Sequence, residues 1–572
     1  MIPVVVILVY LAVIAVIGSV AYRRAKSNTE DFFLASRGVG STVFFLSLFA
    51  TNMTAFAILG SSGQAYRQGI GIYGLMASSS GLVIPLTIFL IGTRLWAIGK
   101  RFGHQTQVAF FRDRWECSGI GTVIFALCAA MLVPYMIISI MGGGTVLAHI
   151  STAAGGGQPL IPYWLGCAIV AVVVTVGVFL GGMRGTVWVN ILQTTLFLLF
   201  GAVAVFVISQ HLPGGFGEYM SKLAGDPKTS YLVTREKMPD RFFWSYTLIP
   251  LSSIMFPHMA IMCFSARKVT AFKRTVVLYP LAIMMIWLPC VFLGVLGFAS
   301  LGKVGDPDGI LLLMLEKFAP AWLAGILGAG IISAVMGSDA HQVLALSTMF
   351  TKDIYQHYGG SKRFGEKGAV LFARIFIVLV TAGAFLVALE LKDKQGIFEI
   401  AVRYAFSGFA AMAPVMVAAL FWKRSTKWGA LASTLFVGAT LIIFGAMQGS
   451  PMPPPAAQAK PLVAQTNAPV SVASVPSVPS AAGESLAATN RMNATNAPAA
   501  IAAKPKVIWQ IGEGKDAIQV ISLAPNGDVR FLGFMTVVPM VFGSALCMIL
   551  FSLLSRPPSE KTIEKYFQFP KT

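Results

Sequence analysis

The sequence predicts an all-α integral membrane protein of about thirteen transmembrane helices. Of its 572 residues, 56% are hydrophobic and only 12% are charged, whereas soluble domains carry about one quarter charged residues. Apolar runs of about 20 residues recur along almost the whole chain, each long enough to cross a hydrocarbon core of about 30 Å as a helix. Basic residues collect in alternate loops between those runs.

Taken in order, the runs centre near residues 12, 53, 86, 133, 172, 198, 253, 288, 335, 380, 409, 438 and 543. The first has no positive stretch before it and YRRAK after it, which favours an uncleaved helix over a signal peptide. With the N-terminus outside, the loops after odd-numbered helices face the cytoplasm and hold more than half of the 43 Lys and Arg residues. They include Arg23, Arg24, Lys26, Arg37, Arg94, Lys100, Arg101, Arg112 and Arg114, while the outer loops hold only a handful, such as Arg67, Lys303 and Lys392. This is the positive-inside asymmetry, and it places the chain as a multi-pass protein of the plasma (inner) membrane with a cytoplasmic C-terminus. The net charge of +20 therefore describes topology. Nucleic-acid binding would need a basic face on a soluble domain, and no segment builds one.

The six cysteines (117, 128, 167, 263, 290 and 547) lack paired spacing, so neither a disulfide framework nor a zinc site is expected. No phosphate-binding loop, metal cluster or nucleophile motif supports an enzyme. Gly142 to Gly144 lie in an apolar run and suit close helix packing. The chain divides into a membrane core over 1–448, a low-complexity extracytoplasmic loop with a small β-hairpin over 449–530, and a last helix with a short tail over 531–572. The Pro/Ala/Ser-rich stretch from 449 to about 506 has almost nothing to bury. VIWQI, AIQVISLA and DVRFLGF after it are β-like, with Asn526-Gly527 as the turn signal. Asn493-Ala-Thr fits a glycosylation pattern, but chance explains it in so biased a stretch.

Two of the apolar runs are unlike the rest. The second reads ATNMTAFAILGSSGQAYRQG at 50–69, with Thr51, Asn52, Thr54, glycines and paired serines in its middle. In hydrocarbon an irregular backbone is tolerated only where it is buried in protein or lines a cavity. That composition fits a discontinuous helix or, equally, a tightly packed contact of small residues. The seventh run, WSYTLIPLSSIMFPHMAIMCF, holds Pro250, Ser252, Ser253, Pro257 and His258, and proline breaks the helical ladder. The two interruptions stand five helices apart. An odd repeat enters the second half from the opposite side, which predicts a five-plus-five inverted repeat with both discontinuous helices facing each other at the midplane. Opened backbone offers carbonyls to a cation and N–H groups to an anionic solute.

At this point the chain resembles the sodium/solute symporter family, from about residue 29 to 430. The resemblance rests on TEDFFLASRG, the 50–69 segment, GGMRGTVWVNILQ at 181–193, FPHMAIMCFSARK at 256–268, SAVMGSDAHQVLALSTMFTKDIY at 333–355 and LFWKRSTKWGAL at 420–431, in that order and spacing. It implies the leucine-transporter-type inverted-repeat fold with one extra N-terminal helix, and cation-coupled uptake of a small organic solute by alternating access. Carried over by motif, a coupling Na+ ion would be held by carbonyls of Ala50 and Met53 and, opposite, by Ala334, Gly337 and Ser338. Positions 334, 337 and 338 share one helical face. The solute would lie among residues 54–61, Tyr135 and 250–258, with Thr54, Ser61, Tyr135, Ser253 and His258 as its polar contacts.

The sequence departs from the family pattern at two points. Gly337 stands where a hydroxyl is usual, and Asn190 stands where the family favours Asp on the inner ion path; together they put sodium coupling in doubt. Asp339 and His341 lie in the same span, where ionisable side chains are costly and usually functional. His341 shares the face of Gly337 and Ser338, whereas Asp339 is rotated about 100° away from Ser338. His341 is either a proton-responsive group or a neutral imidazole bonded to a backbone carbonyl. The expected partners are a small organic solute and the lipid bilayer, with no nucleic acid and no obligate protein partner. A sensor that binds without transport is the rival reading, weakened by the short tail SRPPSEKTIEKYFQFPKT; a channel would need a polar stripe shared by several helices.

Overall fold

In the computed structural model the residues described are 2–23, 29–152, 158–212, 214–227, 229–392, 394–448, 506–511, 518–524 and 527–567. Among them the principal helices are α1 (Ile2–Arg23), α2 (Ser41–Asn52), α3 (Phe56–Gln68), α4 (Gly71–Phe102), α5 (Ser118–Thr152), α6 (Tyr163–Gln210) and α7 (Asp240–Met255). They continue with α8 (Pro257–Ser265), α9 (Thr270–Leu301), α10 (Ala321–Gln356), α11 (Lys367–Glu390), α12 (Ile397–Phe421), α13 (Lys427–Met447) and α14 (Val537–Leu554). Ten helices among the described residues are long and apolar enough to span a membrane, and two bent pairs raise the number to twelve. The protein is thus a multi-pass membrane protein.

The runs expected near 172 and 198 join end to end as α6, 48 residues in two helical parts. Its regularity fails at Gly182 (φ +51°, ψ −148°), where a Cβ would lie 2.6 Å from the carbonyl oxygen of Phe32. Only glycine takes that backbone with that neighbour.

Helix α10 packs against α6, α1 and α5, and nearly every side chain from Gly328 to Met349 is buried. Lipid-like exposure falls instead on α1, α11, α13 and α14, whose outward residues include Val16, Leu379, Ile442 and Leu554. The C-terminal carbonyls of α12 are capped by arginines. Arg114 donates to Ala419 and Trp422 at 3.0 and 3.1 Å, and Arg94 donates to Leu420 at 3.0 Å. Cations at the negative end of a helix, satisfying its last carbonyls, are stabilising there.

The β-like runs form a four-stranded antiparallel sheet, β1 (Lys506–Ile511), β2 (Ile518–Leu523), β3 (Val529–Phe531) and β4 (Phe534–Met535), in that spatial order. It rests on α7: Met535 N–H donates to Ser245 Oγ at 3.1 Å, and Arg241 donates to the Leu532 carbonyl at 2.7 Å. Arg403 of α12 pairs with Asp528 just before β3. The expected linker, Asn493 and Asn526 lie outside the described residues, while Gly527 has the positive φ (+81°) that a turn glycine supplies.

Candidate solute and cation site

Both discontinuous helices are present. Helices α2 and α3 meet at a bend of 61° across Met53 and Thr54. Met53 is extended (φ −93°, ψ 112°), and Thr54 Oγ1 accepts the Phe56 N–H at 3.2 Å in place of the lost ladder. Among the described residues no backbone N–H closes onto the carbonyls of Ala50 or Met53. Helices α7 and α8 bend by 51° across Phe256 (φ −60°, ψ 123°). Pro257 opens α8 at the first helical position, where its missing donor costs nothing. Pro250, expected as a second break, is instead accommodated in the tight 3₁₀ turn Tyr246–Leu251.

Tyr135 of α5 joins the two interruptions. Its hydroxyl lies near Thr54, while its ring lies 5.1 Å from Phe256, 5.8 Å from His258 and, edge-on, 5.0 Å from Phe406 of α12. His258 stacks on Phe256 at 5.1 Å, and neither ring nitrogen has a hydrogen-bond partner although the residue is buried. Thr54, Tyr135 and His258 are therefore brought together. Ser253 faces α4, with its hydroxyl 3.3 Å from that of Thr87. Ser61 spends its hydroxyl inside α3, on the Ala57 carbonyl at 2.6 Å, and lies near Cys290 of α9.

The cation face of α10 meets the same region. A Cβ on Gly142 of α5 would lie 2.5 Å from Ala55 and 3.5 Å from Val335, so the opened backbone, α5 and α10 converge within a turn of Ala334 and Ser338. The Ser338 hydroxyl donates to the Val335 carbonyl at 3.1 Å, leaving its lone pairs free to accept a cation. Ala50, Met53, Ala334 and Ser338 thus supply neutral, buried oxygens of the kind a hard monovalent cation takes, and Gly337 supplies no side-chain oxygen. Such oxygens are of a kind that would hold a sodium ion, whose charge would there tie α2 to α10.

The two family departures touch each other. A Cβ on Gly337 would meet Gln193 Oε1 at 2.9 Å and Asn190 Oδ1 at 3.1 Å. Both oxygens are buried and accept no hydrogen bond. Asn190 Nδ2 lies 3.0 Å from His341 Nδ1, which also lies 3.2 Å from the Gly337 carbonyl. Gln193 continues the chain to the Tyr10 hydroxyl of α1 at 3.3 Å, and Ser333 donates to Tyr10 at 2.7 Å. Asp339 is fully buried, with both carboxylate oxygens unpartnered.

Sequence reasoning missed Gln193, Tyr10 and Phe406, and it singled out Asn52 without its partner, the Tyr279 hydroxyl to which its amide donates at 2.6 Å. Gln193 was findable, since it lies three residues after Asn190 on the same helical face. Phe406 was not, because nothing local tells an aromatic at a discontinuity from one facing lipid. Among the described residues no group of three His, Cys, Asp or Glu side chains could hold a metal ion.

Two discontinuous spans that share an aromatic contact, beside a third helix presenting buried oxygens, define a membrane carrier of the broken-helix class. The family profile described as the sodium:solute symporter family matches residues 32–438, and the chain belongs to that family. It is similar to the sodium/pantothenate symporter of Escherichia coli (strain K12), 26% identical over 76% of this chain and 88% of that protein. It is also similar to the high-affinity proline transporter of Bacillus subtilis (strain 168), 25% identical over 75% of this chain and 89% of the relative. In fold it resembles a sodium-coupled sialic acid symporter solved in a substrate-bound outward-open state, with a TM-score of 0.62 and 17% identity over 78% of this chain and 91% of that one. These relatives are transporters, not enzymes.

Proposed function

We propose that this protein is a secondary active transporter of the plasma membrane that takes up a small organic solute together with a cation, sodium first among the choices, by alternating access. The carrying observation is Tyr135, held between Thr54 at one interruption and Phe256 and His258 at the other. Solute bound there contacts both half-helices, so closure around it moves both. The reading takes α6 as two spans divided at Gly182 and each bent pair as one, which gives thirteen spans, an N-terminus outside and a five-plus-five repeat after α1. In this arrangement the sheet β1–β4 is extracytoplasmic. An inward cation gains about 2.3 kcal/mol per 100 mV, enough to concentrate a solute tens of times over.

A second reading, proton coupling, is favoured by the contact of His341 with Asn190 beside Gly337. One experiment separates the readings: reconstitution in liposomes, a solute panel, and uptake under a sodium gradient, a pH gradient or neither. Accumulation with sodium supports sodium symport, and accumulation with the pH gradient alone supports the proton form. Binding without accumulation under any gradient overturns transport and leaves a sensor.

A further inference from the structure

Helices α5 and α10 run antiparallel, and two contacts set their register. Gly328 packs on Ile150, and seven residues further along α10 Val335 meets Gly142, eight residues back along α5. Continuing one turn toward the C-terminus of α10 brings Asp339 to the level of Ser139, and the next brings Gln342 to the level of Tyr135. Val335, Asp339 and Gln342 are spaced i, i+4 and i+7, within an arc of about 60° on the helix surface. They therefore share the face turned to α5 and away from the Gly337–His341 face.

Four residues along this seam have side-chain polar groups without a hydrogen-bond partner among the described residues. Both oxygens of Asp339, both amide atoms of Gln342, Ser139 Oγ and both ring nitrogens of His258 are buried and accept or donate no hydrogen bond. Many hydroxyls elsewhere in the membrane core bond back to their own helices, as Ser61, Ser338 and Thr348 do, while scattered others such as Ser47 and Thr381 are left unpartnered. A buried polar group left unmade costs about 1–3 kcal/mol, and a lone carboxylate more. Four such residues in one seam, ending at Tyr135 between the two discontinuities, form a polar lining built for something other than the chain itself.

We propose that Asp339 is the anionic anchor of the transported solute, which therefore carries a positively charged nitrogen, with Ser139 and Gln342 accepting its remaining N–H donors. The inference rests on the transporter reading above and narrows its substrate to amines and amino acids rather than plain carboxylates. An ammonium group satisfies a carboxylate by charge and its neighbours by up to three hydrogen bonds. A carboxylate solute lacking an amine would offer Asp339 no opposite charge. His258, across the seam, marks the end from which a second polar group of the solute is read.

The test uses the full chain, purified in detergent, with the thermal unfolding midpoint as the readout of binding. The probes are a panel of small primary and secondary amines and amino acids, each beside its N-acylated form, with pantothenate and sodium chloride alone as further arms. The expected result is stabilisation by at least one ammonium compound and none by its acylated partner. Affinity should fall roughly a hundredfold in Asp339→Asn, while Asp339→Glu keeps the preference for charged nitrogen. Should Asp339→Asn not fold, Asp339→Glu carries the test, because one extra methylene must then shift which amine size binds best. Stabilisation by acylated compounds or pantothenate equal to that by amines overturns the proposal. So does a response to sodium alone that Asp339→Asn abolishes, since the carboxylate would then belong to the ion. Uptake of a carboxylate with a gradient would sink this inference and leave the transporter standing; no uptake of anything would sink the transporter.

Discussion

The side-chain amide nitrogen of Asn190 lies 3.0 Å from Nδ1 of His341, across the interface between α6 and α10. These are two of the unusual residues of the ion region, and their contact makes them one substitution in physical terms. An Asp at 190 would put a negative charge beside the imidazole; an amide does not. With its proton on Nδ1, His341 donates to the Gly337 carbonyl 3.2 Å away, and the Asn190 amide can turn to offer its oxygen as well. Nε2, which has no partner, is then the atom that gains or loses a proton.

His341→Gln keeps a hydrogen-bonding side chain and removes the titration. In liposomes the mutant should lose whatever dependence of uptake on pH a titrating imidazole confers, while retaining at least about a tenth of the maximal rate. Uptake that follows the wild-type pH curve would confine His341 to a structural bond with Gly337.

The Asn190–His341 pair also marks how far the sequence could be read. The discontinuities were legible because Pro257 and the Thr/Asn/Gly/Ser cluster at 51–63 break the local rules of a lipid-embedded helix. The proposed sodium face came from the family resemblance, with the spacing of Ala334, Gly337 and Ser338 as its physical support. What the sequence hid was pairing across distance: that Gly337 makes room for the oxygens of Asn190 and Gln193 depends on how α6 lies on α10, which no local pattern records. The direct join of the two parts of α6 at Gly182 was hidden too, because two adjacent apolar runs look the same whether a loop or a single glycine separates them.

Gly337→Ser would seem to restore a missing ligand, yet its Cβ would sit 2.9 Å from Gln193 Oε1 and 3.1 Å from Asn190 Oδ1. The single mutant should lose about 1–3 kcal/mol of stability through overpacking and gain no sodium dependence. Gly337→Ser combined with Gln193→Ala opens the space and should recover most of that loss, with a lower half-saturating sodium concentration than wild type. Thermal unfolding and uptake against sodium concentration check both halves, and additive effects of the two mutations would show that the sites are uncoupled.

Ser338→Ala removes the one side-chain hydroxyl left on the cation face. Because that hydroxyl bonds only to the Val335 carbonyl of its own helix, its loss should leave folding within about 1 kcal/mol of wild type. The half-saturating cation concentration should rise roughly tenfold, the equivalent of about 1.4 kcal/mol. An unchanged cation response would remove Ser338 from the site.

Asp308, in the loop after α9, gives a pH prediction whose sign is fixed by burial. Its Oδ2 accepts the Ile397 N–H at the start of α12 at 2.9 Å, and a Cβ on Gly63 of α3 would fall 2.3 Å from its Oδ1. Burial pushes its pKa up to about 7, against the pull of Arg67 and with Glu399 and Asp306 adding to the rise. Below the unfolded value near 3.8 the carboxyl is neutral in both states and adds no pH-dependent term. Between about 4 and 7 the unfolded chain ionises first, so the arrangement in which Asp308 is buried loses stability as pH rises, by up to a few kcal/mol, and above 7 the loss is complete. Asp308→Asn should therefore be more stable than wild type at pH 8, by thermal unfolding, and nearly equal at pH 4. Because Asp308 ties α3 to the first turn of α12, the same mutant should also favour the closed arrangement of those two helices. Spin labels placed on exposed positions of α3 and α12 would report a shorter mean separation at pH 8 than in wild type. A wild-type separation that does not lengthen between pH 5 and 8 would detach Asp308 from that movement.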